Sequence, residues 1–367
     1  MTLVVLDLAD IPTYLMDREL LSARAVVDGR LRVVDASRLN RVFVVTADHE
    51  RCLVLKLPGE PGSTGVAHEA EVLERLRATD PRGRLSRYLP TPVSYDRRRG
   101  VLVLEAAPRA QDLAHRHARR RFSRMLARET GRALALLHSV PLVAVEDLNG
   151  PDHARALRLH RLDLDALHTL SPAAVELIRI VQGLGELCAS LDELAASWRR
   201  ESVIHGDVRW ANCLAWRSMD SNRWTRLHLI DWELCAAGDP AADIGAFFGE
   251  YLRAWLQSIP ITDPEDPGRL LAHAGLPLRR MRPALTAFWD AYTQHSPGNA
   301  TELGQRLRRA TRFAAVRLLE AALEEAQTLD ELRARVLYLV PLSQNILRRP
   351  DDASMHLLGL GASVAAA

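Results

Sequence analysis

Apolar positions in the first hundred residues change from helical spacing to alternation. Ile11–Leu21 has helical spacing with Pro12 near its start, where a missing amide is tolerated. Val-rich runs follow at Ala25–Val27, Leu31–Val34, Arg41–Thr46 and Leu53–Leu57, separated by Asp-Gly or polar turns, and predict an antiparallel meander. Ala67–Leu76 returns to helical spacing, and Pro90–Tyr95 and Val101–Leu104 close the sheet. From residue 122 onward the pattern is mostly helical. Phe122–His138 carries Met125, Leu126, Ala133, Leu134 and Leu137 on one stripe, as a buried helix does. Further helices are expected near 152–161, 172–198, 243–257, 279–295, 301–327 and 329–348. Short apolar runs at Ser202–Ile204, Cys213–Trp216 and Leu227–Ile230 read as strands. The whole is an α+β chain: a small sheet lobe at 1–107, a large helical lobe at 108–350 and a flexible tail at 351–367.

Composition narrows the classes. The length of 367 residues suffices for two cores, and 48% hydrophobic with 26% charged residues is ordinary for a soluble globular chain. A formal charge of +2 is too small to point to nucleic acid. Cys52, Cys188, Cys213 and Cys235 show no metal-ligand spacing and read as reduced residues of a cytoplasmic protein. The N-terminus lacks a basic n-region, so no signal peptide is expected. No apolar run approaches the roughly 20 residues that span a bilayer, so no membrane partner is expected.

Chemistry concentrates in residues 205–245. His205-Gly206-Asp207-Val208-Arg209-Trp210-Ala211-Asn212 is followed by Leu229-Ile230-Asp231-Trp232-Glu233 and by Gly238-Asp239-Pro240-Ala241-Ala242-Asp243-Ile244-Gly245. In order these give a carboxylate, an amide five residues on, and a second carboxylate at a strand end. Phosphoryl transfer from a metal–nucleotide needs those groups. One carboxylate orients the attacking hydroxyl and accepts its proton, while the amide oxygen and the other carboxylate hold Mg²⁺ on the phosphates. Any one segment alone reads as a turn beside a strand. Three in this order are a different matter.

With these segments the chain resembles the aminoglycoside phosphotransferase and choline kinase family, which has a protein-kinase-like two-lobe fold. His205-Gly206-Asp207 stands where protein kinases have His-Arg-Asp, and Asp231-Trp232-Glu233 where they have Asp-Phe-Gly. The resemblance spans about residues 25–345 and is specific only at the motifs. It implies Asp207 as catalytic base and Asn212 and Asp231 as Mg²⁺ ligands. Arg209 occupies the position of a lysine that contacts the transferred phosphoryl group. Glu105 and Ala107 fall in the segment whose backbone holds adenine. Ser37 and Asn40 fall in the phosphate-covering turn Asp35–Asn40, which has no glycine.

Composition adds an independent signal. Of 48 basic residues only Lys56 is a lysine. In such an arginine-rich background, a retained lysine marks a place that needs a compact ammonium. Lys56 ends the apolar run Cys52–Leu57, where the resemblance places the lysine that contacts the α- and β-phosphates of ATP and pairs with a helix glutamate. Glu69 fits that partner best, with Glu71 and Glu74 as alternatives. Gly59–Gly65 lacks the Gly-Lys-Ser/Thr of a P-loop, and Gly183-Leu184-Gly185 reads as a packing site inside a helix. Asp243 and His205 are expected to order the catalytic loop. Trp232 is expected to pack, and Glu233 is open between packing and support of the site.

The acceptor is less legible. Residues 301–349 hold six acidic residues against nine arginines, which does not favour a polycation, and His115–Arg121 is basic. The expected acceptor is a small-molecule hydroxyl on an antibiotic, amino alcohol or sugar. The alternatives are a Ser/Thr hydroxyl of a ribosomally made precursor peptide, or no acceptor at all in a non-catalytic binding module. Neither ATP against GTP nor the oligomeric state can be read from the residues.

Overall fold

Burial alternates along Arg41–Ala47, where Phe43, Val45 and Ala47 point inward, the period-2 pattern of a sheet with a covered face. The computed structural model describes residues 6–37, 40–47, 52–60, 63–107, 109–148, 150, 153–162, 167–217, 224–260 and 274–361. Arg38 and Leu39 of the expected phosphate-covering turn, Pro108 and the last six residues lie outside them. The chain divides into two compact units, Met1–Gln111 with Leu214–Cys235, and Asp112–Cys213 with Ala236–Ala367.

In the first unit β1 (Leu31–Asp35), β2 (Arg41–Ala47), β3 (Leu53–Leu57), β4 (Pro92–Asp96) and β5 (Val101–Glu105) form one antiparallel sheet of order β1-β2-β3-β5-β4. One face packs Phe43, Val45, Leu53, Leu55, Val101 and Val103 against Ile11, Tyr14, Leu15, Leu21 and Ala25. Two expectations change here. The first helix stops at Asp17, and Ala23–Val27 is helical rather than a strand. Ser22 caps it by accepting the Ala25 amide, and that local bond outweighs the weak β preference of so short a run. The helix Gly65–Ala78 buries Val66, Glu69, Ala70, Val72, Leu73 and Leu76. Strands β6 (Cys213–Arg217) and β7 (Trp224–Leu229) extend this unit beyond the expected 1–107.

The second unit is mainly helical. The helices Pro240–Gln257 and Ala300–Ala326 approach closely because the first carries Gly245 and Gly249 on one face. A Cβ on Gly245 would lie 2.5 Å from the Ala310 carbonyl oxygen, and one on Gly249 would lie 2.7 Å from Arg317 Cβ. The helix expected over 172–198 is two, Pro172–Gln182 and Gly185–Ala196. Gly183 is therefore a helix end and not a packing site; a Cβ on Gly185 would meet nothing within 4 Å. The helix expected at 329–348 begins only at Ala334 and runs in two pieces, Ala334–Leu337 and Leu339–Arg348. The supposed tail is ordered to residue 361. Pro350–Ala353 and Ser354–Leu358 are helical, and Ala353, Leu358 and Leu360 are buried. Apolar burial holds this part of the expected tail, while the small-residue run that suggested flexibility lies, after Gly361, outside the described residues. Among the described residues no helix is long and apolar enough to cross a membrane.

Candidate active site

In the first unit β3 places Lys56 opposite Val42 and Leu102, and the residue is only 7% exposed. Its Nζ donates to Glu69 Oε2 at 2.7 Å and to Asp231 Oδ1 at 2.9 Å. Burial alone would discharge the amine. The Glu69 and Asp231 carboxylates reverse this and hold the ammonium above its ordinary range. Glu69 is the partner because helical spacing turns it inward with Val66, Ala70 and Leu73, while Glu71 turns outward to Arg75. The Trp232 amide donates to Glu69 Oε1 at 3.4 Å.

Asp231 sits in the left-handed region at φ 72°. That conformation is uncommon for a residue other than glycine and re-aims the carboxylate at the end of a strand. Trp232 is fully buried and donates its indole N–H to the Leu229 carbonyl at 2.7 Å, as a packing role predicts. Glu233 accepts from Asn40 Nδ2 at 2.5 Å. A Cβ on Gly65 would lie 2.7 Å from Glu233 Oε2, so the glycine admits this carboxylate at the start of the helix. Burial and the neighbouring Asp231 charge raise the Glu233 carboxyl above its ordinary range.

The remaining expected nucleotide residues are placed as follows. Ser37 closes its own turn: its amide donates to Asp35 Oδ1 at 2.8 Å and its hydroxyl accepts from the Val42 amide at 3.0 Å. Asn40 is bound to Glu233. The Glu105 amide donates to the Thr91 carbonyl, the Ala106 amide to the Cys52 carbonyl, and the Ala107 carbonyl accepts from the Ala110 amide.

In the second unit the strand Ser202–Ile204 leads into His205 and Gly206. The Asp243 carboxylate accepts both their amides, His205 N–H at 2.8 Å and Gly206 N–H at 2.9 Å. It also contacts His138 Nε2 at 3.1 Å. Burial works against ionisation of Asp243, but these partners hold its carboxyl below the usual range. Asp243 therefore braces the loop, and His205 orders it by accepting the Asp207 amide on Nδ1 at 3.3 Å. Gly206 has φ 81°, a conformation suited to a residue without Cβ.

Asp207 lies at the turn that follows. Its Oδ1 accepts from Arg209 Nε at 2.6 Å and its Oδ2 from Asn212 Nδ2 at 2.7 Å. Asn212 Nδ2 also donates to the Asp207 carbonyl at 3.0 Å, which turns the amide oxygen away from Asp207. Among the described residues no group of three or more His, Cys, Asp or Glu side chains could hold a metal ion. Asn212 and Asp231 are one amide and one carboxylate. Each is a hard-oxygen donor of the kind Mg²⁺ takes.

Sequence reading missed the second layer around Arg209. Arg209 Nη2 donates to Glu324 Oε1 at 3.2 Å, and Glu324 is itself held by Arg317 Nη1 at 2.9 Å. Buried Arg317 also reaches Glu250 at 3.2 Å and Glu320 at 3.4 Å. A faint signal existed, since Arg317, Glu320 and Glu324 share one helix face with apolar neighbours. The basic segment 115–121 is partly internal: Arg116 and His117 are buried, whereas His115 and Ala118–Arg121 are exposed. His117 packs edge-on against Trp210 of the loop at 4.1 Å. Burial and the Arg116 charge push its imidazole down to about 3.

The sequence matches the model of the family described as "Phosphotransferase enzyme family" over residues 30–260. No curated protein matches it. Among solved structures, choline kinase from Cryptosporidium parvum Iowa II is similar at 13% identity and TM-score 0.51, covering 98% of this chain and 100% of that one. A choline/ethanolamine kinase family protein from Mesorhizobium loti has 17% identity and TM-score 0.48, covering 95% and 97%. A macrolide 2'-phosphotransferase from Brachybacterium faecium has 17% identity and TM-score 0.46, covering 92% and 98%. At 13% identity the likeness to the Cryptosporidium choline kinase is one of fold: a small antiparallel-sheet lobe and a mostly helical lobe of the protein-kinase-like type.

Proposed function

The chain belongs to the phosphotransferase enzyme family, and from that premise we propose that it moves the γ-phosphate of Mg-ATP onto a hydroxyl of a small molecule. The observation that carries this reading is Lys56. The chain's single lysine is buried and kept charged between two carboxylates, one from the helix Gly65–Ala78 and one from Asp231. A fixed ammonium of this kind neutralises phosphate oxygens. Ser37 and Asn40 would cover the phosphates, and the backbone of Glu105 and Ala107 would meet the adenine edge.

Asp231 and the amide oxygen of Asn212 would hold Mg²⁺. When bound, Mg²⁺ would supply positive charge to offset that developing on the phosphates. Asp207 would orient the acceptor hydroxyl and receive its proton. The loose transition state asks mainly for positioning, which the Asp243 brace supplies. Arg209 would offer guanidinium donors to the transferred group.

The acceptor's chemistry is constrained by charge. Around the loop four carboxylates, Asp207, Glu250, Glu320 and Glu324, meet three guanidiniums, Arg209, Arg253 and Arg317. A polycation would have to displace arginines from carboxylates already paired. This supports an acceptor without several positive charges. Transfer of label from γ-labelled ATP, and in parallel GTP, should be measured across amino alcohols, sugars, neutral and cationic antibiotics and Ser/Thr peptides. Metal-dependent labelling of a small-molecule hydroxyl is expected. Labelling of peptides alone would replace that acceptor, and nucleotide binding without any transfer would leave a binding module.

A further inference from the structure

Arg209 has two partners, and they pull it in different directions. Its Nε reaches Asp207 Oδ1 at 2.6 Å and its Nη2 reaches Glu324 Oε1 at 3.2 Å. A guanidinium facing a single carboxylate settles into a two-pronged pair that occupies both oxygens. Added to the Asn212 bond on Oδ2, such a pair would leave Asp207 little capacity to accept from a hydroxyl. With Nη2 held by Glu324, Arg209 engages Asp207 through Oδ1 only, so Oδ2, which accepts from Asn212 Nδ2 at 2.7 Å, keeps its second lone pair for an acceptor hydroxyl.

Glu324 is itself fixed. Arg317 grips it with both terminal nitrogens, at 2.9 Å to Oε1 and 3.3 Å to Oε2. Burial works against the Glu324 charge, yet Arg317 and Arg209 hold its carboxyl below the ordinary range, so it is an anion at neutral pH. Arg317 is buried and turned toward Glu250 and Glu320, at the point where Gly249 brings the two long helices together. The chain of contacts therefore runs from a rigid helix pair through Arg317 and Glu324 to Arg209.

We propose that Glu324 is a positioning residue for phosphoryl transfer: it anchors the Arg209 guanidinium so that Asp207 stays open to the acceptor and the remaining Arg209 donors face the transferred phosphate. This rests on the roles given to Asp207 and Arg209 above. It gives the long helix Ala300–Ala326 a part in the chemistry that no sequence motif marks.

A double-mutant cycle on kcat tests it, using Glu324→Gln, Arg209→Gln and the pair in the full chain, with the acceptor identified by the label-transfer panel. Glu324→Gln keeps the size of the side chain and removes its charge. Its kcat is expected to fall about tenfold, with KM for nucleotide within about twofold of the wild type. In the Arg209→Gln background the same change is expected to alter kcat less than about twofold, because the group it anchors is already gone. Melting temperatures of all four proteins separate this coupling from loss of fold. Fully additive losses in kcat, or an effect confined to KM for the acceptor, would overturn the role of Glu324 while leaving that of Arg209 intact. Wild-type kcat in Arg209→Gln would overturn both together.

Discussion

Asn40 donates its side-chain amide to Glu233 at 2.5 Å, which ties the turn between β1 and β2 to the residue two beyond Asp231. The partner carboxyl is raised by burial and by the Asp231 charge, with Asn40 and Lys56 opposing. A carboxyl whose folded pKa lies above its unfolded value costs stability as pH rises through that interval. Glu233→Gln should therefore melt higher than the wild type at pH 7, and the difference should shrink toward zero below about pH 4, near the unfolded glutamate value. Melting curves across that range check it. A gap that widens on acidification would be the opposite outcome.

Lys56→Arg keeps the charge but not the shape. The buried slot between Glu69 Oε2 and Asp231 Oδ1 accepts a point donor, and a planar fork cannot occupy it without moving one carboxylate. Turnover should fall by roughly tenfold or more, the scale of losing a charge-assisted contact of about 1.5–3 kcal/mol. Steady-state kinetics at saturating nucleotide decide it; wild-type turnover would remove Lys56 from the phosphate site.

Asp207→Asn should separate chemistry from binding. The side chain lies between Arg209 and Asn212 and serves the acceptor in the proposed mechanism, so nucleotide affinity should stay within a few-fold. Turnover should drop roughly 10²-fold or more, the scale of a lost positioned base. Calorimetry with a non-hydrolysable ATP analogue beside a steady-state assay gives both readings. Loss of nucleotide binding and activity together would redraw the role.

Asp231→Asn replaces an anionic oxygen donor with a neutral amide and also removes one partner of Lys56. Metal-dependent turnover should fall by about 10²-fold or more, and the Mg²⁺ concentration for half-maximal rate should rise. Asn212→Ala should weaken the same reading less. Activity that needs no divalent metal would end the assignment of both residues.

His117 is buried against Trp210 and held neutral down to about 3, below the ordinary histidine value of 6.5. Its folded pKa is depressed, so as pH falls below about 6.5 the unfolded chain takes a proton that the native state refuses. Stability is then lost progressively toward pH 3. Between pH 6.5 and 4.5 this site contributes a loss on the order of 2–3 kcal/mol, at 1.36 kcal/mol per pH unit. His117→Phe should flatten the dependence of melting temperature on pH in that window; an unchanged slope would show that the imidazole titrates freely in the native protein.

The residues proposed to carry the chemistry were legible because their arrangement is local. Asp207 and Asn212 lie on one loop, five residues apart, and a single turn is enough to bring Asn212 Nδ2 onto the Asp207 carboxylate. Lys56 stood out by composition. The resemblance favoured Glu69 with Glu71 and Glu74 left open, and the structure turns Glu69 inward and Glu71 outward to Arg75. The bracing role of Asp243 followed from its place at the start of a helix near the loop, and the structure adds the two amides and the histidine that it holds.

What the tertiary structure alone decided depends on chain segments far apart or on weak local preferences. Five residues at Ala23–Val27 form a helix because one capping serine and a covered sheet face outweigh their β-branched side chains. The residues 351–361 are ordered because Ala353, Leu358 and Leu360 find apolar partners that composition cannot reveal. Most of all, the shared helix face of Arg317, Glu320 and Glu324 is only a faint signal in the sequence. Only the close approach of Gly249 to that helix buries Arg317, and only then does Glu324 reach an arginine 115 positions away in sequence. Patterns along a chain report periodicity and local bonding, whereas the pairing of charges across packed helices is fixed by where the backbones come to rest.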